Sequence, residues 1–233
     1  MKVTQKRQII RIKGAGCQLV EDVLLKEIVY QFIVNGKVVM NFHCVPQNLE
    51  QLAIGHGLCQ GWFTNINQIE ELKINENKKQ IFLSLNKAAF SNVLQPSTGE
   101  AFFSPTQIYA LCEEFDKYCD LFRLTGASHS CALAAKDGIR IFMNDVARHN
   151  SLDKVIGEMV LQRVNPAEKA FIFSGRLALD MIEKVVISGV KILVAPGAPT
   201  LAAVELAEKS GLTLLGFVRK DNINIYTHWH RIY

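Results

Sequence analysis

What this chain lacks narrows its class first. Nowhere in its 233 residues is there a run of about 18 apolar residues, the length a membrane-spanning helix needs. Its opening segment lacks the charged-then-apolar order of a secretory signal. A cytoplasmic protein with no membrane partner is the expectation. The six cysteines, Cys17, Cys44, Cys59, Cys112, Cys119 and Cys131, form no Cys-x-x-Cys pair and no zinc-ribbon spacing, which argues against a disulfide framework and against a zinc site. An excess of one charge is missing too: a net charge of +4 offers no basic face, so no nucleic-acid partner is expected. Lys2, Lys6, Arg7, Arg11 and Lys13 precede any acid, as in a polybasic arm, but such a start is more often a solvated or frayed terminus. No repeat or low-complexity tract interrupts the chain.

With 49% hydrophobic residues the chain can bury a sizeable core, as one large domain or two small ones. Residues 1–100 read as a small α+β roll. Ile28 to Val34 and Lys37 to Phe42 flank Asn35-Gly36, a strong hairpin signal. A helix begins after Pro46 with Leu49, Leu52, Ala53 and His56 inward, and Ile69 to Ile74 and Gln80 to Leu85 are strand-like. Periodicity lapses between Asn86 and Ser104, where Pro96-Ser97-Thr98-Gly99 marks a linker or an exposed loop. Residues 101–233 read as an α/β unit. Ser104-Pro105 has the chemistry of a cap and first helical turn, and the helix runs to about Cys119. Cys112 and Cys119 share one of its faces, where small buried thiols are commonplace.

Ile139 to Met143 alternates like a half-buried strand, and Leu152, Val155, Ile156, Met159 and Val160 recur on one helical face. Between them runs Asn144-Asp145-Val146-Ala147-Arg148-His149-Asn150-Ser151. Asn150 is placed to cap the helix, with Asp153 as its capping-box partner. The free N–H groups of a helix's first turn, added to its dipole, favour a phosphate or carboxylate, and Arg148 and His149 flank that position. The alternative is that Arg148 pairs with Asp145 or Asp153 and His149 packs in a turn.

The same pattern recurs twice. Phe171-Ile172-Phe173 is a buried strand, Ser174-Gly175-Arg176 a tight turn, and Leu177 to Ser188 a helix closed by Gly189. Lys191 to Ala195 is the next strand and Pro196-Gly197-Ala198-Pro199-Thr200 its loop. Thr200 caps the helix Leu201 to Ser210, Gly211 ends it, and Leu212 to Val218 is another strand. Strands alternating with helices predict a largely parallel sheet, and such sheets bind ligands outside the carboxyl ends of their strands. The three loops are therefore expected to share a pocket for a phosphate-bearing ligand.

Upstream, Thr125-Gly126-Ala127-Ser128-His129 leads into a strand that Asp137-Gly138 turns back. His129, among small residues, suits a ligand contact or a proton donor, or else a satisfied half-buried histidine. Cys131 follows on the same side of the strand, and a neighbouring histidine is one way to depress a thiol's pKa.

Taken together, Thr125-Gly126-Ala127-Ser128-His129, Asp145-Val146-Ala147-Arg148-His149-Asn150, Leu152-Asp153-Lys154 with Gly157, Ser174-Gly175-Arg176, Ala198-Pro199-Thr200 and Gly216-Phe217-Val218-Arg219 resemble the FdhD/NarQ family of formate dehydrogenase accessory proteins. The resemblance spans about residues 28 to 233. It implies an α/β fold whose C-terminal part is a three-layer, cytidine-deaminase-like domain preceded by the small roll. It also implies a sulfur carrier that takes sulfur from a cysteine desulfurase and delivers it to the molybdenum bis(guanine dinucleotide) cofactor of formate dehydrogenase. On that resemblance, the cofactor-binding residues are Thr125, Gly126, His129, Arg148, His149, Asn150, Lys154, Ser174, Gly175, Arg176, Pro199, Thr200 and the segment Phe217, Val218, Arg219, Lys220, Asp221 and Asn222. The pyrophosphates of a guanine dinucleotide suit helix N-termini and arginines. The sequence departs from the family pattern at the Cys-x-x-Cys loop that carries the persulfide, since Asn86 to Ser104 contains no cysteine. Smaller departures are Asn144, Ala147, Ala127 and Lys220-Asp221-Asn222.

Three readings follow. One is a maturation factor that binds the bis(guanine dinucleotide) cofactor and supports its sulfuration and insertion, docking to formate dehydrogenase. A second is an active sulfurtransferase using a non-family cysteine such as Cys131. A hydrolytic deaminase is the third, and the absence of His-x-Glu and Pro-Cys-x-x-Cys speaks against it. A homodimer is a base-rate expectation for a chain of this kind.

Overall fold

The computed structural model describes residues 2–86 and 101–233, so the Pro96-Ser97-Thr98-Gly99 stretch lies outside the described residues. The chain opens with β1 (Thr4–Lys13) and β2 (Gly16–Leu25), an antiparallel ribbon pairing Thr4 with Leu25 and Lys13 with Gly16. This replaces the expected frayed terminus: β-branched Ile9, Ile10, Ile12, Val20 and Val23 favour extended backbone, and the basic residues meet acids of the opposite strand, Lys6 with Glu21 at 2.7 Å and Arg11 with Asp22 at 3.4 Å.

The roll follows. It contains β3 (Ile28–Val34), β4 (Lys37–Cys44), α1 (Leu49–Cys59), β5 (Ile69–Asn75) and β6 (Gln80–Leu85), in the sheet order β4-β3-β6-β5. The β3–β4 hairpin turns at Asn35, whose φ is 48° and whose Oδ1 accepts from Leu85 N at 2.8 Å.

The remainder comprises α2 (Pro105–Tyr118), α3 (Asp120–Thr125), β7 (His129–Ala135), β8 (Gly138–Asp145), α4 (Arg148–Leu161), β9 (Ala170–Phe173), α5 (Leu179–Ser188), β10 (Ile192–Val194), α6 (Leu201–Lys209), β11 (Thr213–Arg219) and β12 (Asn222–Ile225). Ser104 and Gln107 close a capping box at the start of α2, with N···O distances of 2.9 and 3.2 Å. Just ahead of it, Ala101 and Phe103 are buried and Phe103 bridges to Ile232, so the end of the expected linker belongs to the core.

The second sheet runs β12-β11-β10-β9-β7-β8. β9, β10 and β11 are parallel, while β7 is antiparallel to both of its neighbours and β12 to β11. The expected largely parallel sheet is thus parallel at its centre. Strand alternation sorts its side chains into two layers. Ala132, Ala134, Ala170, Ile172, Ile192, Val194 and Leu215 pack with Ile108, Leu111 and Phe115 of α2. Cys131, Leu133, Phe171, Phe173, Leu193 and Leu214 pack toward α4, α5 and α6, in a core that continues to the roll's Tyr30, Phe32, Phe42 and Leu52. The result is a mixed α/β structure.

Helix α1 of the roll crosses α4 with backbone against backbone. A Cβ on Gly55 would overlap the Asp153 carbonyl oxygen, and one on Gly157 would overlap that of Gln51. Beside the crossing lies a buried ion pair. Lys154 and Asp145 are fully enclosed, with Nζ 2.6 Å from Oδ2; Lys154 Nζ also donates to Val45 O at 3.3 Å, and Asp145 Oδ2 accepts from Val45 N at 3.2 Å. Lys154, expected among the cofactor ligands, is therefore a structural tie between the two sheets and presents no ammonium to a ligand.

Two outcomes are expected in urea titration. Gly157→Ala, which forces the helices apart, destabilises the chain by about 1–3 kcal/mol or more. Lys154→Ala leaves a buried carboxylate without its partner and costs about 3–5 kcal/mol. A midpoint equal to that of the parent protein would refute either assignment.

Candidate functional site

The sheet directions carry the carboxyl ends of β8, β9, β10 and β11 to one edge, where β7 begins with His129. Helix α4 starts there at Arg148. Its N-cap is Ala147, not Asn150, and no side chain caps it. Asn150 is drawn into the first turn because its amide is used elsewhere: Nδ2 donates to His43 O at 2.8 Å and to Asp145 Oδ1 at 3.0 Å. Asp153 is likewise engaged, by Lys184 Nζ at 2.6 Å and by His56 Nδ1 at 3.2 Å. The first-turn N–H groups of α4 are thus left without a side-chain acceptor, whereas in α5, whose N-cap is Ala178, Asp180 Oδ1 accepts from Met181 N at 2.9 Å. Thr200 does cap α6, its Oγ1 accepting from Ala203 N at 3.3 Å.

The loops converge at this edge. Ser174 Oγ accepts from Ser130 N at 2.9 Å and lies 3.5 Å from His129 Nδ1. A Cβ on Gly175 would come within 3.5 Å of Arg148 Cδ, and one on Gly197 within 2.5 Å of Gly175 O. Leu177 N donates to Ala198 O at 3.1 Å, Thr200 N to Leu177 O at 3.0 Å and Phe217 N to Gly197 O at 3.3 Å. Glycine at 197 is what lets two loop backbones touch. His129, Arg148, Ser174, Gly175, Pro199, Thr200 and Phe217 therefore occupy one continuous rim, with Arg176 following Gly175 in the exposed turn.

Other expected residues are placed differently. Thr125 and Gly126 terminate α3: Thr125 Oγ1 donates to Leu121 O at 2.7 Å and Gly126 adopts φ 67°. Arg219, Lys220, Asp221 and Asn222 form the exposed turn of the β11–β12 hairpin, where Asn222 Nδ2 donates to Phe217 O at 3.1 Å. Val218, between Phe217 and Arg219, is buried. Cys131 is completely buried under α4 on the strand face that packs into the core. Burial drives its thiol pKa far up, and it offers no accessible thiolate.

Sequence reasoning missed Asp180, in the first turn of α5. It accepts from or pairs with His149 Nε2 at 2.6 Å and lies 4.0 Å from Arg148 Nη2. Burial alone would raise its carboxyl, but the hydrogen bond and charge of His149 prevail and hold it below the usual aspartate range. An acid at a helix's first turn was the available signal. Arg148 thereby contacts neither Asp145 nor Asp153 among the described ion pairs, and its Nε is buried without a hydrogen-bond partner. A buried donor left unpaired costs about 1–3 kcal/mol, so an anion is the natural complement here. His129 feels the same field: burial, then Arg148, then His149, lower its pKa. Among the described residues no group of three His, Cys, Asp or Glu side chains is placed to hold a metal ion, and no helix is long and apolar enough to cross a membrane.

Because its folded pKa lies below about 6.5, the unfolded value, His129 contributes stability that is complete above that pH and is lost as pH falls toward the folded pKa. Titration of the His129 ring by NMR is expected to give a midpoint below that of an exposed histidine, and Arg148→Ala is expected to raise it. An unmoved midpoint in the variant would separate the two side chains electrostatically.

The sequence pattern of the FdhD/NarQ family matches residues 25–100 and 85–233 of this chain. A relative from Bacillus subtilis (strain 168), named sulfur carrier protein FdhD, is 28% identical over 257 residues, covering 99% of this chain and 98% of that protein. Another of the same name, from Methanothermobacter thermautotrophicus, is 31% identical over 232 residues, covering 91% of this chain and 92% of its own. The crystal structure of a protein described as a formate dehydrogenase accessory protein from Desulfotalea psychrophila superimposes with a TM-score of 0.89 over 100% of both chains at 24% identity, a likeness of fold. The chain belongs to the FdhD/NarQ family.

Proposed function

We propose that this chain is a formate dehydrogenase maturation factor that binds the molybdenum bis(guanine dinucleotide) cofactor as cargo and supports its sulfuration and insertion, with a cysteine desulfurase as the sulfur source. The observation that carries the cargo site is the buried, unpartnered Arg148 Nε at the N-terminus of α4, which no side chain caps. Phosphate groups complement such donors and the partial positive charge of helix N-termini. Ser174 and the backbone of Gly175 and Gly197 supply small groups that allow close approach of a nucleotide, and exposed Arg176 adds charge at the rim. The second sheet, with α2 on one face and α4, α5 and α6 on the other, is read as the cytidine-deaminase-like layer arrangement. That reading brings no deaminase chemistry, because the chain has neither His-x-Glu nor Pro-Cys-x-x-Cys.

Sulfur carriage requires an accessible thiol. Cys131, the non-family cysteine that sequence favoured, is enclosed in the core.

GDP is the simplest probe of the cargo site. Calorimetry is expected to show binding to the parent protein and at least about tenfold weaker binding to Arg148→Ala, since a hydrogen bond to a charged group contributes about 1.5–3 kcal/mol. Equal affinities would remove Arg148 from the site; binding by neither protein would count against the nucleotide reading itself.

A further inference from the structure

We infer that Cys119 is the thiol of this chain that accepts sulfur, in a cavity between α2 and the start of β7 that opens toward the candidate cargo rim. The inference rests on the sulfur-carrier reading above and assigns it a residue. The cavity, of about 380 Å³, is lined by Cys112, Cys119, Ser128, His129, Ser130 and Ser174 together with apolar side chains of α2 and β9. Two of these, His129 and Ser174, also stand at the rim, so the cavity and the cargo site share a wall.

Several observations converge on Cys119. It sits where α2 ends and α3 begins, partly exposed, with Sγ donating to Phe115 O at 3.3 Å. Its thiol pKa is raised, by burial first and also by Asp116 and Asp120, while a hydrogen bond with Ser130 and the charge of Arg123 act in the opposite direction. Cys112, one face-repeat earlier on α2, lacks such support, and burial and Asp116 push it up to about 12. Cys44 and Cys131 are fully buried. Independently of any cysteine, Ser128 points to a ligand: it is 4% exposed, lines this cavity and has no partner for its Oγ. A hydroxyl in that state is left for a group that enters the cavity, and the terminal sulfur of a persulfide is small enough and anionic enough to take its hydrogen bond.

The chemistry balances without an oxidant. The Cys119 thiolate attacks the terminal sulfur of a donor cysteine persulfide on a desulfurase. A new S–S bond forms on Sγ, the donor's S–S bond breaks, and its electron pair leaves on the donor cysteine sulfur. The proton lost from Cys119 ends on that leaving thiolate, so one persulfide and one thiol exchange places. His129, whose pKa is lowered by burial and then by Arg148 and His149, is the ring on the cavity wall suited to accept that proton in passing.

The test uses the full chain incubated with a cysteine desulfurase and cysteine, then intact-protein mass spectrometry and peptide mapping without reductant. One added sulfur on the peptide carrying Cys119 is expected. Cys119→Ser should reduce the modified fraction at least tenfold, and Cys17→Ser, on the exposed ribbon, should leave it unchanged. Sulfur mapped to Cys17 or to any other cysteine of the parent protein would overturn the assignment and leave the carrier reading standing. No added sulfur on the parent, with a control acceptor loaded by the same desulfurase, would overturn both. Mapping on the parent protein decides the matter even if the variant folds poorly.

Discussion

The approach of α1 to α4 is the contact on which the rest of this structure depends. Gly55 and Gly157 let each helix backbone touch a carbonyl of the other, and no residue with a Cβ fits at either place. That closeness fixes α4 against the roll at its middle. The Asp145–Lys154 pair, tied to both the N–H and the C=O of Val45, fixes it again near its start. Taking two charges out of water is expensive, and such a pair is retained where it specifies position more than where it adds stability. Here it specifies where the N-terminus of α4 points. Arg148 and His149 are the first two residues of that helix, so the candidate site inherits its geometry from an interaction made by residues of the roll, about a hundred positions earlier in the chain.

Local signals in the sequence were legible wherever the decisive contacts are local. Asn35-Gly36 gives its hairpin, Ser104 and Gln107 their capping box, Thr200 its cap, and Gly189 its helix end, because each depends on atoms within a few residues. The loops at the carboxyl edge were legible too, since strand direction follows from the alternation of strands and helices. What was not legible depends on distant partners. Asn150 has the composition of a cap, yet His43 and Asp145 outbid the helix N–H groups for its side chain. Lys154 stands in a motif of the family and reads as a ligand, but its partner Val45 follows β4, more than a hundred positions earlier in the chain. The β1–β2 ribbon was hidden because a basic start resembles a solvated tail until the acids of the second strand are aligned with it.

Cysteine placement shows the same division. The period of a strand assigns His129 and Cys131 to one side, but Cys131 lies in the core beneath α4 while His129, at the strand's first residue, lines the cavity with Ser128 and Ser130. The opposite side, where Ser128 and Ser130 point, faces α2 and its thiols. Helical spacing had already placed Cys112 and Cys119 on one face. Only the packing of that face against the strand start turns a commonplace pair of buried thiols into the wall of a cavity with an unsatisfied hydroxyl.

At the rim the balance of charges decides whether an anion can displace what is already there. Asp180 is the resident counter-charge, but its side chain is 51% exposed and lies 4.0 Å from Arg148, a separation at which attraction is weak when water screens one partner. Its closer bond is to His149 at 2.6 Å, so its main effect is to hold that ring in place. Arg148 itself is more enclosed, at 29%, and keeps a buried donor without an acceptor. A phosphate entering at the N-terminus of α4 would meet that donor and the free first-turn N–H groups together, in surroundings less screened than those of Asp180. It therefore need not break the Asp180–His149 bond to bind.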